Sequence, residues 1–142
     1  MNKTVSINDI ISYSYIYKNN EECDFYFDLK ELQVYSREQM KSEFGYDDNL
    51  LDDEYTLHYS YNVIPMFYVV ENSKIREFLL LENNKKIIKK VERMNQSEIE
   101  GLFQTMFDYD YGFGYRWVKY IEKYKIHSAI EWCEKNNIPY TI

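Results

Sequence analysis

The chain has 142 residues, 45% hydrophobic and 18% aromatic, with a net charge of −7 at neutral pH. That length buries a core without disulfide staples and fits one domain, while no stretch approaches the ~20 apolar residues of a membrane span. The negative charge argues against DNA or RNA as a direct ligand, because such binding runs on cations set against phosphates.

Ser6 predicts a helix N-cap with Asp9 as its capping-box partner, and Ile7, Ile10, Ile11 and Tyr15 as the apolar face of a helix over 5–15. The opening MNKTVSINDIISYSYIY has one lysine before its first acidic residue and no long apolar run, which predicts neither a secretion signal nor an anchor and points to the cytoplasm. Asn19-Asn20-Glu21-Glu22 breaks the helix. Residues 23–29 alternate as a strand, with Cys23, Phe25, Phe27 and Leu29 one way and Asp24, Tyr26 and Asp28 the other. Lys30-Glu31 makes a tight turn, without the glycine such hairpins prefer, and 32–35 returns as a second strand. Ser36 caps a short helix to Phe44.

The charge is uneven. Residues 1–60 hold 13 acidic and 5 basic side chains, a net of −8, whereas 61–142 hold 11 acidic and 12 basic, a net of +1. The acid is densest between Glu43 and Glu54, where Glu43, Asp47, Asp48, Asp52, Asp53 and Glu54 are interrupted by no cation. The block has three readings: a solvated acidic loop, a calcium site of hard oxygen ligands that lacks the order of an EF-hand loop, or a docking surface for a basic partner. In the last, Tyr46 and Tyr55, with Tyr59 and Tyr61 beyond, add contact area.

Residues 55–63 predict an extended segment with Leu57, Tyr59, Tyr61 and Val63 on one face, ended by Pro65, and 66–70 a further strand. Asn72 or Ser73 caps a helix to about Leu81, with Ile75, Phe78, Leu79 and Leu81 inward. After Asn83-Asn84, residues 85–93 make an amphipathic helix whose inward face is Ile87, Ile88 and Val91 and whose outer stripe is Lys85, Lys86, Lys89, Lys90 and Arg93. Five cations on one face suit a phosphate backbone, but the surrounding charge favours a solvated face. Ser97 caps the next helix, with Ile99, Leu102, Phe103, Met106 and Phe107 as its core stripe. Gly112 and Gly114 open the last stretch, which reads as two helices. The first carries Phe113, Trp117, Val118, Ile121 and Tyr124, and the second Ile126, Ala129, Ile130 and Cys133. Asn136-Asn137 and Pro139 end the second. Trp117 and Arg116 read as core-packing residues or as part of a binding surface, where both types are enriched. The fold class expected is α+β: an N-terminal helix, a small antiparallel sheet of about three to five strands, and a helical C-terminal half packed on one face, in a single domain over 1–142.

Phe113-Gly-Tyr-Arg-Trp, Ala129-Ile-Glu-Trp-Cys-Glu and Ile138-Pro-Tyr resemble the C-terminal part of uncharacterised protein family 0158, a bacterial family of unknown function. The helix over 5–15 and Phe25-Tyr-Phe-Asp-Leu match the order of that family's opening helix and Tyr-x-Asp-Leu strand. The resemblance touches both ends and leaves 42–94 poorly matched. It rests on packing residues, so it implies a fold and transfers no catalytic residue.

The chain has no phosphate loop, dinucleotide fingerprint, nucleophile elbow or His-Glu-x-x-His motif. His58 and His127 each lack an obvious nucleophile, and Asp24 with Asp28 completes no hydrolytic site. Cys23 and Cys133 read as reduced thiols, and with two distant histidines they lack metal-ligand spacing. The expectation is a non-catalytic, acidic protein-binding module of bacteria or phages, without cofactor or metal. Its concrete form is an inhibitor or antidote whose residues Glu43, Tyr46, Asp47, Asp48, Asp52, Asp53, Glu54 and Tyr55 occupy the cationic nucleic-acid site of a nuclease toxin or a CRISPR effector. The alternative is a housekeeping or regulatory protein that binds a small ligand or a cellular protein.

Overall fold

The computed structural model of the protein describes residues 3–16, 24–82 and 84–142. It opens with strand β1 (Val5–Ser6), the one-turn helix α1 (Ile7–Ile10), a 3-10 turn over Ile11–Tyr13 and strand β2 (Tyr15–Ile16). The helix expected over 5–15 is thus confined to its middle. Ser6 stands at the N-cap position without a side-chain cap bond, and it belongs to a parallel pair with the closing strand β7 (Tyr140–Thr141) in which Val5 meets Tyr140. Ile7 and Ile10 are buried as their spacing predicts. The break at Asn19–Glu22 and Cys23 lie outside the described residues.

Strand β3 (Phe25–Asp28) pairs antiparallel with β4 (Gln33–Ser36) on one side and β5 (Val63–Pro65) on the other, so β3 is central. The hairpin connection is longer than a two-residue turn. Asp28 Oδ1 accepts the backbone N–H groups of Lys30 and Glu31 at 2.8 and 2.9 Å, and Leu32 takes the positive φ of 53°. An aspartate turn thereby does the work of the missing glycine. A central strand is covered on both faces. Tyr26 packs with Met40, Leu51, Leu57 and Val63, and Phe27 meets the Trp132 ring edge-on at 5.3 Å. Tyr26 and Phe27, on the two opposite faces that the alternation predicts, are therefore both buried. Pro65 sits inside edge strand β5, which tolerates a residue without an N–H.

Helix α2 (Arg37–Phe44) is bounded as its sequence dictates. Ser36 and Gln39 form a capping box, and Gly45 closes the helix in the left-handed region at φ 71°. No atom crowds the place of a Cβ at Gly45, so only the backbone resists a side chain there. Gly45→Ala is expected to cost about 1 kcal/mol, read as a lower urea midpoint at unchanged m value.

The segment 45–61 departs most from expectation. It holds two helices, α3 (Asp48–Leu51) and α4 (Glu54–Tyr61), where a loop and an extended run were predicted. Asp47 accepts the N–H of Leu50 at 2.8 Å, and Asp53 accepts the N–H and hydroxyl of Thr56 at 3.1 and 2.8 Å. Asn62 closes α4 at φ 56°. The alternating apolar pattern at 57, 59, 61 and 63 suits a strand, but only Leu57 and Val63 are buried. Beyond β5, β6 (Tyr68–Val69) pairs parallel with β2.

A 3-10 turn over Glu71–Lys74 leads to α5 (Ile75–Leu81), α6 (Lys85–Val91), α7 (Gln96–Tyr109) and α8 (Tyr111–Lys135). Neither Asn72 nor Ser73 caps α5; the Ser73 hydroxyl donates back to the Val70 carbonyl at 2.6 Å. Asn84 caps α6. Asn95, in a capping box with Glu98, caps α7 in place of Ser97. The two helices predicted after Gly112 are one helix of 25 residues, ended by Asn137 at φ 56°.

The chain clusters into two compact units, 70–124 and the remainder (1–69 with 125–142). In 70–124 the core is Ile75, Phe78, Leu79, Val91, Ile99, Phe113, Trp117 and Ile121. In the remainder, Ala129 and Cys133 from the end of α8 are fully buried. Burial, with Glu134 adding, pushes the Cys133 thiol up to about 11, so it stays protonated and unreactive at neutral pH. The architecture is α+β, with a helical C-terminal half.

Candidate partner-binding surface

The acidic block is assembled from the end of α2, both short helices and the caps between them, and its carboxylates do three different things. Asp47 and Asp53 are helix N-caps. The hydrogen bonds from Thr56 hold the Asp53 carboxyl below its ordinary range. Asp48 and Asp52 converge on Arg37, whose Nη2 lies 3.0 and 3.1 Å from their Oδ1 atoms. Lys41 Nζ also reaches Asp48 at 3.1 Å. Hydrogen bonds from Lys41 and then Arg37 hold the Asp48 carboxyl below its ordinary range. Glu43 and Glu54 are exposed, and among the described residues neither has a hydrogen-bond or ion-pair partner. The block is therefore not a uniform field of free carboxylates, because Arg37 and Lys41 neutralise its middle. Those two cations lie 11 and 7 residues before Asp48, too far for a spacing rule to find them.

Arg37 is the centre of this arrangement. Its side chain is 11% exposed, and its Nη1 donates to the Tyr26 hydroxyl at 2.6 Å. Burial pulls the guanidinium pKa down, but the bonds to Asp48 and Asp52 outweigh it and the net shift is upward.

The aromatic residues divide into two groups. Tyr46 is half-buried, tilted between Phe44 at 5.9 Å and Tyr61 at 5.0 Å, and burial followed by Tyr61 and Asp28 raises its phenol pKa. It is a packing residue. Tyr55 and Tyr59 stand one helical turn apart on α4, 73% and 69% exposed, with ring centroids 4.6 Å apart. The His58 ring stacks on Tyr59 at 4.7 Å. Tyr59 and His58 thus join Tyr55 in an aromatic ledge on α4, whose first residue is Glu54. The i,i+4 spacing of Tyr55 and Tyr59 was the available signal, once Asp53 and Asn62 are recognised as helix ends.

Elsewhere the candidates resolve simply. Trp117 is buried among Phe78, Phe103 and Tyr120. The Arg116 guanidinium is held by Glu82, with Nη2 at 2.6 Å, while its side chain stays 49% exposed, so Trp117 belongs to the core and Arg116 to the surface. Lys85, Lys86, Lys89, Lys90 and Arg93 are all exposed. His127 Nε2 lies 2.9 Å from Glu131. Among the described residues, no group of three or more His, Cys, Asp or Glu could hold a metal ion, and no helix is long and apolar enough to cross a membrane. The chain matches no protein-family model, no curated protein and no solved structure significantly.

Proposed function

We propose that the chain is a non-catalytic, cytoplasmic protein-binding module whose acidic and aromatic face engages a basic protein. Its most concrete form is an inhibitor or antidote of bacterial or phage origin that covers the cationic nucleic-acid site of a nuclease or a nucleic-acid-binding effector. The observation that carries this reading is the open ledge of Tyr55 and Tyr59 on α4, in the same acidic segment as the exposed, unpaired carboxylates of Glu54 at the start of α4 and Glu43 near the end of α2. Exposed tyrosines are energetic anchors of interfaces. Carboxylates around them raise the encounter rate with a cationic partner and fall silent at high salt.

The experiment is capture of a basic partner from lysate at low salt, followed by titration of that partner with variants. The double variant Tyr55→Ala/Tyr59→Ala is expected to weaken binding at least ~30-fold. Glu43→Gln/Glu54→Gln is expected to slow association and flatten its salt dependence. Equal affinity of the tyrosine variant and the wild type would end this reading. Asp47 and Asp53 are poor probes, since their removal uncaps α3 and α4.

A second reading is a regulatory or housekeeping protein that binds a small polar ligand, as the resemblance to uncharacterised protein family 0158 allows. It is favoured by a depression of about 490 Å³ beside α1, lined by Thr4, Ser6, Asn8, Asp9, Ser12 and Gln33 among others. A ligand there raises the melting temperature with the logarithm of its concentration above the dissociation constant, and Asp9→Asn weakens that rise, whereas a protein partner of the α4 ledge is unaffected by Asp9→Asn.

A further inference from the structure

A different surface, within residues 70–124, has a face for which the structure argues an occupant. Phe107 at the end of α7 and Tyr111, Gly114, Tyr115 and Val118 on α8 line a depression of about 380 Å³ that is almost wholly apolar. Tyr111 is 100% exposed, Tyr115 64%, Val118 53% and Phe107 42%. Tyr115 also borders a shallower depression of about 250 Å³ with Leu81, Lys119 and Lys123, and Leu81 is 65% exposed. The apolar surface is therefore continuous through Tyr115. Its notch is Gly114, where a Cβ would meet the Phe107 ring at 3.3 Å.

We propose that this face is a self-association surface, and that its occupant is a second copy of the chain packed antiparallel along α8 about a two-fold axis near Tyr115. Two observations choose a second copy. The first is charge. Asp108 and Asp110 stand at the junction of α7 and α8, and Lys119 and Lys123 line the second depression with Arg116 and Glu82. Arg116 is paired within the chain, with Glu82 at 2.6 Å and Asp110 at 3.8 Å. The rim charges left without an ion pair among the described residues are therefore Asp108 at one end and the two lysines at the other. Asp110 and Lys119 stand five and four residues on either side of Tyr115, about 7 Å each way along the helix. A two-fold axis there sets the acidic end of each copy against the basic end of the other, twice over. An isologous interface requires that self-complementarity, and a partner of one charge sign does not meet it.

The second is area. The five side chains Leu81, Phe107, Tyr111, Tyr115 and Val118 expose about 600 Å², taking ~200 Å² for a whole aromatic side chain. That matches the upper end for the largest patch on a monomer, and it supplies most of the ~800 Å² per partner of a standard interface, with the charged rim adding the remainder.

The surface is distinct from the α4 ledge, so its test does not depend on that reading. Sedimentation equilibrium of the full chain is expected to show mass rising with concentration towards twice that of one chain, with a dissociation constant on the order of micromolar. Tyr115→Glu places like charges together at the axis, and it is expected to raise that constant at least ~30-fold with an unchanged far-UV spectrum. Rim variants answer the case in which Tyr115→Glu disturbs α8. Lys119→Glu/Lys123→Glu and Asp108→Lys/Asp110→Asn each remove one end of the charge pattern, the asparagine keeping an acceptor for the Phe113 N–H. Each rim variant alone is expected to stay single, and an equimolar mixture to form a heterodimer. A wild-type chain of one-chain mass at every concentration overturns the proposal and leaves the face to another occupant. Undiminished dimerisation of a folded Tyr115→Glu chain, or a mixture of rim variants that does not associate, overturns it as well.

Discussion

Phe113→Ala is expected to lower stability by about 4 kcal/mol, the usual cost of emptying a buried phenylalanine site. Phe113 is 0% exposed, and its ring lies 5.2 Å from Phe78 and 5.5 Å from Phe103. Truncation leaves a cavity between α5, α7 and α8, whose neighbours are themselves large rings that cannot collapse into it. The lost ring pairs add about 1 kcal/mol beyond burial, which lifts the figure above the low end of the range, about 3 kcal/mol. Urea unfolding followed by far-UV circular dichroism reads the loss as a lower midpoint. Amide exchange is expected to rise first in α5, α7 and the first half of α8, because those elements share this core. Phe107→Ala is the control. Its ring is 42% exposed and beside the same helix, so it is expected to cost about 1 kcal/mol or less. Equal losses in the two variants would mean that burial does not rank these positions.

Arg37→Ala is expected to cost about 2 kcal/mol, between the values for an exposed and a buried ion pair. The guanidinium is nearly covered, and its loss strips Asp48, Asp52 and the Tyr26 hydroxyl of a donor at once. The cost stays below that of a buried pair because Asp48 and Asp52 are 54% and 56% exposed, so water takes over part of the lost bonding. Arg37→Lys is expected to recover only part, since one ammonium cannot span three acceptors in a fixed fork.

The same pair has a pH signature. Lys41 and Arg37 hold the Asp48 carboxyl below its ordinary value of 3.8. A depressed folded value stabilises the fold fully above the unfolded value and is lost as pH falls through the folded one. Stability of the wild type is therefore expected to decline below about pH 4, and the decline is expected to be shallower in Arg37→Ala. Parallel acid limbs in the two proteins would mean that Asp48 owes nothing to Arg37.

Several elements were legible because the signals that define them act within about four residues. The Ser36 to Gly45 helix, the inward face of α5 at Ile75, Phe78 and Leu79, the buried Val91 of α6 and the end of α8 at Asn137 all follow from caps and periodicity. The misread segments fail for different reasons. At 54–61 the helical and strand patterns both fit the apolar residues, and the caps at Asp53 and Asn62 were the local clue that separates them. At 124–126 two apolar stripes, ending at Tyr124 and beginning at Ile126, were read as two helices, but no glycine or proline stands between them and α8 runs through without a break.

The candidate surface was legible in composition and not in state. The uneven charge, the tyrosine content and the alternation of caps and apolar stripes belong to the chain itself, because each is set by residues close in sequence. Which carboxylates are neutralised, and which tyrosines stay open, is settled only when α2 and α3 bring Arg37 and Lys41 to Asp48 and Asp52. A charge pair across 11 residues carries no periodic signature. Its existence depends on packing around Tyr26, where a buried hydroxyl and a covered guanidinium must satisfy each other.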